Sequence, residues 1–120
     1  HNKNYYKKYK KWCDEYFYLP HRKETRGIGG IFFDYKKENF IRDFKFVRDV
    51  GVTFQILFNS IINKKYKIKW TQKQKEQQYI KRGRYTEFNL LYDRGTKFGL
   101  QTGGNIEGIM MSLPPIAKWK

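Results

Sequence analysis

The chain has 120 residues, 26 of them Lys or Arg and 11 Asp or Glu, for a net charge of +15. That length allows one domain with a modest core, and the absence of any run of eighteen apolar residues excludes a membrane-crossing helix. The single cysteine excludes an internal disulfide and suits a reducing compartment.

Residues 2–17 are predicted to form a helix. Tyr5, Tyr9, Trp12, Cys13 and Tyr16 recur at helical spacing, while Lys7, Lys8, Lys10, Lys11 and Asp14 face away. Cys13 then reads as a packing residue rather than a nucleophile. Pro20 closes this element, because the residue before a proline avoids the helical region. A loop over 21–26 follows, and Gly27 to Asp34 reads as a strand buried near its end. Residues 44–63 are predicted as a core-packing helix with Val47, Val50, Phe54, Leu57 or Phe58, and Ile61 on one face, interrupted by Gly51. Thr71-x-x-Gln74 has the form of a capping box opening a short polar helix to about Lys81. Tyr85 to Tyr92 alternates as a strand, Asp93-Arg94-Gly95-Thr96 reads as a hairpin turn into residues 97–100, and Gly103-Gly104 as another turn. Residues 106–113 read as a last strand before Pro114-Pro115. Strands and helices do not alternate as βαβ units, so the expected fold class is α+β with an antiparallel sheet.

The densest chemistry lies in residues 10–34, KKWCDEYFYLPHRKETRGIGGIFFD. His21, Arg22, Glu24 and Arg26 precede Gly27, Gly29 and Gly30, an arrangement that lets backbone and guanidinium groups approach a bound anion together. The other reading is an ordinary helix-to-strand connection. Nineteen of the cations are lysine and seven arginine, and Ile, Asn, Tyr and Phe are abundant, as in an AT-rich coding sequence. Much of the lysine charge, Lys7 and Lys36 included, is therefore expected on solvated faces. Two histidines and one cysteine are too few for a protein metal site. Gly27-Ile28-Gly29-Gly30 precedes a strand rather than a helix and is not a dinucleotide loop, and no Ser/His/Asp order points to acyl transfer.

The run from Lys10, Trp12 and Cys13 through Tyr16-Phe17-Tyr18, Leu19, His21-Arg22, Glu24, Arg26-Gly27-Ile28-Gly29-Gly30 and Ile31-Phe32-Phe33-Asp34 resembles the signature of the oxygen-dependent coproporphyrinogen III oxidases. RGRYTEFNLLYDRGTKFGL, from Arg82 to Leu100, and Met111-Ser112-Leu113-Pro114-Pro115 extend the resemblance over nearly the whole chain, in the family's order and spacing. Five of the seven arginines (Arg22, Arg26, Arg82, Arg84 and Arg94) fall within these motifs. The family's proteins are longer, so residues 1–120 are expected to be the C-terminal portion of one oxidase domain, inactive as an isolated piece. Tyr35, Asn105 and Gly108 depart from the usual pattern.

The resemblance implies a broad antiparallel sheet flanked by helices, and a substrate, coproporphyrinogen III, two of whose propionates become vinyl groups with O2 as electron acceptor. No metal or organic cofactor is implied, and the usual aspartate base belongs to a glycine-rich segment upstream of His1. Such a substrate needs two-pronged cations and a roomy aromatic wall. Arg22, Arg26, Arg82 and Arg84, with Gly29 and Gly30, are the expected substrate-binding residues, and Phe32, Phe33, Tyr85 and Phe88 the wall. Arg26 is the leading candidate for a propionate contact, unless it forms an ion pair with Glu24 or Asp34. His21 either shuttles a proton or orients the loop; Glu24, Asp34 and Glu87 support the binding groups. The resemblance further implies a homodimer, cytoplasmic in a bacterium and mitochondrial or plastid in a eukaryote. The alternatives are a non-catalytic fragment or a basic nucleic-acid-binding module carried by the +15 charge and interleaved aromatics, with weak and non-specific binding expected.

Overall fold

Tyr5, Tyr9 and Cys13 are spaced four apart, so one helical face can bury all three. In the computed structural model, which describes residues 1–120, this face organises the N-terminal half. Helix α1 spans Tyr5–Tyr16, with Tyr9 and Cys13 buried and Lys10 paired to Asp14 one turn on. The backbone N–H of Phe17 closes the helix on the Cys13 carbonyl. Two very short strands follow, β1 (Tyr18–Leu19) and β2 (Glu24–Thr25), antiparallel with Tyr18 opposite Thr25 and Leu19 opposite Glu24. Lys23 turns the connection with a φ of 54°, and the Arg26 N–H extends the pairing to the Phe17 carbonyl at 2.9 Å. Leu19, fully buried, anchors this hairpin to the helices around it.

The expected strand over 27–34 is absent. The segment carries no strand assignment, and its Phe32 N–H donates to the Tyr9 carbonyl of α1 at 3.1 Å. A strand is held by a neighbour that satisfies its backbone groups, and none lies beside this segment in residues 1–120. Its side chains hold it instead: Phe32 stacks on Tyr16 at 4.6 Å, and Phe33 packs against Tyr9 and Phe46. The fold class is α+β, but the sheet consists of only two strands, not the broad sheet implied by the resemblance.

Helix α2 spans Phe40–Lys65, capped by Asn39, whose side chain accepts from the Arg42 N–H at 2.9 Å. It is a helix where the apolar spacing predicted one, yet only Asp43 and Phe46 are buried. Phe54, Leu57, Phe58 and Ile61, expected in the core, are each more than half exposed. No other element of these 120 residues reaches the helix beyond its first turns, so its apolar stripe has nothing to pack against.

Lys36 also departs from expectation. It is buried with Asp43 in an ion pair of 3.1 Å, donates to the Tyr9 hydroxyl at 3.1 Å, and lies 4.6 Å from the Tyr5 ring centroid. Burying a charge requires a partner, and removing one partner leaves the other uncompensated. Lys36→Ala is therefore expected to lower the thermal midpoint of the full-length protein clearly more than Lys7→Ala at the exposed face of α1, in a paired thermal-unfolding measurement.

Helix α3 spans Gln72–Leu91 and opens on the predicted capping box. Thr71 accepts from the Gln74 N–H at 3.2 Å, and the Gln74 side chain accepts from the Thr71 N–H at 2.8 Å. The helix then runs through residues 85–91 and is capped by Tyr92, overturning the expected strand. Continuing it keeps these backbone groups in intrahelical hydrogen bonds and places Phe88 in the core against Tyr16 and Phe17, which outweighs local β-preference. Gly83 does not break the helix. The C-terminal segment crosses it there, with the Lys118 N–H on the Tyr79 carbonyl at 3.0 Å, and a Cβ at Gly83 would overlap the Lys118 carbonyl oxygen.

The expected hairpin at 93–96 is a helix start. Asp93 accepts from the Thr96 N–H at 2.7 Å and caps α4 (Arg94–Gln101), which takes in the residues read as the returning strand. The turn at Gly103-Gly104 stands: Gly103 has φ +70° and the Gly104 N–H bonds the Gly99 carbonyl, as at many helix C-termini. Asn105 caps α5 (Ile106–Met110) where a last strand was expected.

Candidate functional site

Most of the sequence-predicted site residues fall into two groups, an ionic network and a cavity lining, that share Glu24. The first is an ionic network centred on Glu87, buried on α3. Arg22 grips it with two prongs, Nη2 to Oε1 at 2.7 Å and Nε to Oε2 at 3.1 Å. His21 Nε2 lies 2.8 Å from Oε2, and Arg84 Nη1 lies 3.6 Å from Oε1. Arg84 donates through Nε to Glu24, which also accepts from Lys81 at 3.2 Å. The hydrogen bonds from Arg22, joined by His21 and the nearby Arg84 charge, hold the Glu87 carboxyl at about 2 against the opposing effect of burial. Glu24 is likewise held below its usual range, first by Arg84 and then by Lys81.

Both ring nitrogens of His21 are engaged, Nε2 with Glu87 and Nδ1 at 2.8 Å from the Tyr92 hydroxyl. Arg22 spends its remaining prong on the Lys120 carbonyl at 3.2 Å. The network thus ties the hairpin, α3 and the C-terminal segment together, and Arg22 and Arg84 are occupied by carboxylates within the chain.

The second group faces a cavity of about 920 Å³ between α1, the Gly27–Phe32 segment and α3. Gly29 fits there because its backbone runs against α1: a Cβ would come within 2.8 Å of the Cys13 sulfur. Gly30 has no such neighbour and presents open backbone to the cavity. Arg26 follows β2 directly, and its guanidinium carbon lies 3.9, 4.6 and 5.0 Å from the ring centroids of Phe17, Tyr85 and Phe88. Its side chain makes one hydrogen bond, a long one of 3.5 Å to Asn89 Oδ1. Neither Glu24 nor Asp34 pairs with it; Asp34 is exposed and accepts from the Tyr35 N–H at 3.0 Å. Arg82 also has no carboxylate partner and lies over Tyr85 at 5.6 Å.

The expected aromatic wall is present in part. Phe32 and Tyr85 line the cavity, Phe88 lies beneath Arg26, and Phe33 packs away from it against Tyr9 and Phe46. Cys13 is a buried free thiol on the packed face of α1. Asp93 and Arg94 start a helix, with the Arg94 guanidinium 5.5 Å from the Tyr16 ring centroid. Sequence reasoning missed Lys10, Lys81, Asn89 and Tyr92. The signal for the last three was helical spacing: Lys81, Tyr85, Phe88, Asn89 and Tyr92 come together only if the helix runs on to Leu91.

An arginine stacked on aromatic faces with its charge uncompensated is preorganised for an anion, because its planar fork meets both oxygens of a carboxylate. The chain as a whole is similar to known proteins. The family described as Coproporphyrinogen III oxidase matches residues 1–120. The oxygen-dependent coproporphyrinogen-III oxidase of Rickettsia bellii (strain OSU 85-389) is 59% identical over 120 residues, covering 99% of this chain and 43% of that protein. Those of Rickettsia rickettsii (strain Sheila Smith) and Rickettsia akari (strain Hartford) are 59% and 58% identical over the same length, again covering 43% of the relative. The chain thus spans less than half the length of the curated relatives it matches.

Proposed function

The chain belongs to the coproporphyrinogen III oxidase family, and on that premise we propose that the protein carrying it converts coproporphyrinogen III to protoporphyrinogen IX. Two propionate carboxylates lose carbon dioxide and become vinyl groups, each releasing two electrons and one proton; the four electrons, with those protons and two more from solvent, reduce one O2 to water. The observation that carries this reading is the state of Arg26. A guanidinium sandwiched among three aromatic rings, with no carboxylate of its own, faces a cavity of about 920 Å³ roomy enough for part of a large polycarboxylate.

In this reading Arg26 and Arg82 meet propionates, and the open backbone at Gly30 lets the macrocycle approach. Arg22, Arg84, Glu24 and Glu87 brace the hairpin that carries Arg26. The two engaged nitrogens of His21 favour orientation of that hairpin over proton transfer. Aromatic faces suit a tetrapyrrole and arginine suits its carboxylates, so the division of labour follows from the chemistry of the ligand. We take the reaction to need no metal or organic cofactor, and the enzyme to act as a cytoplasmic homodimer in a bacterial cell. The basic-module reading has no comparable support, since Arg26 and Arg82, both without a carboxylate partner, converge on one cavity rather than along an exposed stripe.

The test is turnover by the full-length protein. Aerobic incubation with coproporphyrinogen III after dialysis against a chelator is expected to consume O2 and release carbon dioxide as protoporphyrinogen IX forms. Turnover under strict anaerobiosis, or none in air until metal is restored, would contradict the reading.

A further inference from the structure

The cavity lining contains four cations, Lys10, Arg26, Lys81 and Arg82, and two carboxylates, Asp14 and Glu24. Both carboxylates are already taken: Asp14 by Lys10, and Glu24 by Lys81 and Arg84. Two guanidiniums, Arg26 and Arg82, are left without a partner. One side chain touches both. The Tyr85 ring centroid is 4.6 Å from the Arg26 guanidinium carbon and 5.6 Å from that of Arg82.

The two arginines reach this ring from different parts of the chain. Arg82 stands three residues before Tyr85 on α3, so the helix fixes that side. Arg26 comes from the end of the hairpin and has no ion pair and only one long hydrogen bond to hold it. Like charges repel, so two guanidiniums do not share a small volume unless something between them sets their positions. An aromatic face does so, because each cation is attracted to the ring. The Asn89 side chain one turn on, together with the Arg26 charge, holds the Tyr85 phenol below its usual range, a further sign that the ring sits among these groups.

We propose that Tyr85 is a positioning residue of this cavity: its ring holds the Arg26 and Arg82 guanidiniums as a pair, so that the site selects a ligand presenting two carboxylates over one presenting a single carboxylate. This deepens the assignment above and rests on it for the natural ligand, since neighbouring propionates on one tetrapyrrole form such a pair. The excess of two positive charges in the lining matches the charge of a dicarboxylate.

The test uses the full-length protein and two simple probes, isophthalate with two carboxylates and benzoate with one, alongside coproporphyrin III. Binding is read by calorimetry, and folding by the thermal midpoint. The unmodified protein is expected to prefer isophthalate to benzoate by tenfold or more. Tyr85→Phe keeps the ring and should stay within about twofold of that preference, whereas Tyr85→Leu should abolish it and weaken coproporphyrin III at least tenfold. Combining Tyr85→Leu with Arg82→Lys should cost much less than the product of the two single losses, because both disrupt the same pair. A merely structural role would lower the midpoint and weaken both probes alike.

The proposal is overturned if Tyr85→Leu keeps the preference, if Tyr85→Phe loses as much as Tyr85→Leu, if the double loss is multiplicative, or if the unmodified protein shows no preference. Should isophthalate selectivity depend on Tyr85 while coproporphyrin III fails to bind, the positioning role stands and the proposed substrate falls.

Discussion

Arg26→Lys in the full-length protein is expected to raise KM for coproporphyrinogen III by roughly tenfold to a hundredfold, with little change in thermal midpoint. The two outcomes separate because Arg26 makes no ion pair within the chain and only a 3.5 Å hydrogen bond to Asn89. Folding loses little when it is replaced. Lysine keeps the charge but lacks the flat fork, so it loses both the stacking on Phe17, Tyr85 and Phe88 and the second prong on a carboxylate. A charge-assisted hydrogen bond contributes about 1.5–3 kcal/mol, which corresponds to that range of affinity. If the gripped propionate is the reacting one, kcat falls as well, because its carboxylate is then misplaced in the transition state. Arg82→Lys should act in the same direction but less strongly, since Arg82 is exposed and stacked on one ring only. Steady-state kinetics beside a melting curve decides the matter. Unchanged kinetics in a folded Arg26→Lys protein would remove Arg26 from the substrate site.

Where the amino-acid pattern was strong and local, it led to the right element. The four-residue spacing of Tyr5, Tyr9 and Cys13 marks α1, and Thr71 with Gln74 marks the start of α3. It failed where two structures share one local signal. Asp93 followed by Thr96 is compatible with a turn and with a helix cap, because the aspartate side chain accepts a backbone N–H two residues on in a turn and, as here, three residues on at a cap. Tyr85 to Tyr92 is rich in residues that suit strands, and the tertiary demand to bury Phe88 and Glu87 together decides for the helix. The site divides in the same way. Arg26 and its glycines stand out in a short motif, so the cavity wall was legible. The pairing of Arg22 with Glu87 joins residues 65 apart, and no local pattern announces it. The burial of Lys36 against Asp43 was hidden by composition, since nineteen lysines in a basic chain all look like solvated charge.

Glu87 is the residue whose loss should cost the fold most. It is buried and holds Arg22 with two hydrogen bonds and His21 with one, so Glu87→Ala leaves Arg22 without its carboxylate and His21 without one of its partners, while Arg84 keeps Glu24. Removing one member of a buried pair costs about 3–5 kcal/mol, a large part of a typical domain's stability. Glu87→Gln is the sharper probe because it preserves shape and changes only charge. The carboxyl is held at about 2 in the folded protein, against about 4.5 when free. Its folded value is thus the depressed one, and the stability it contributes is fully present above pH 4.5. That contribution falls away as the pH drops from 4.5 towards 2, where the unfolded chain takes up the proton first. The unmodified protein is therefore expected to melt well above Glu87→Gln at pH 7, and the gap between the two midpoints should narrow steeply from pH 4.5 down to about 2. Glu24 and Asp43 are also held below their usual range, so both proteins will lose stability in acid. The difference between the two curves isolates Glu87 from that shared slope. Parallel curves from pH 7 to 2.5 would mean that the Glu87 charge does not hold the hairpin, and the bracing of Arg26 would have to come from the aromatic contacts alone.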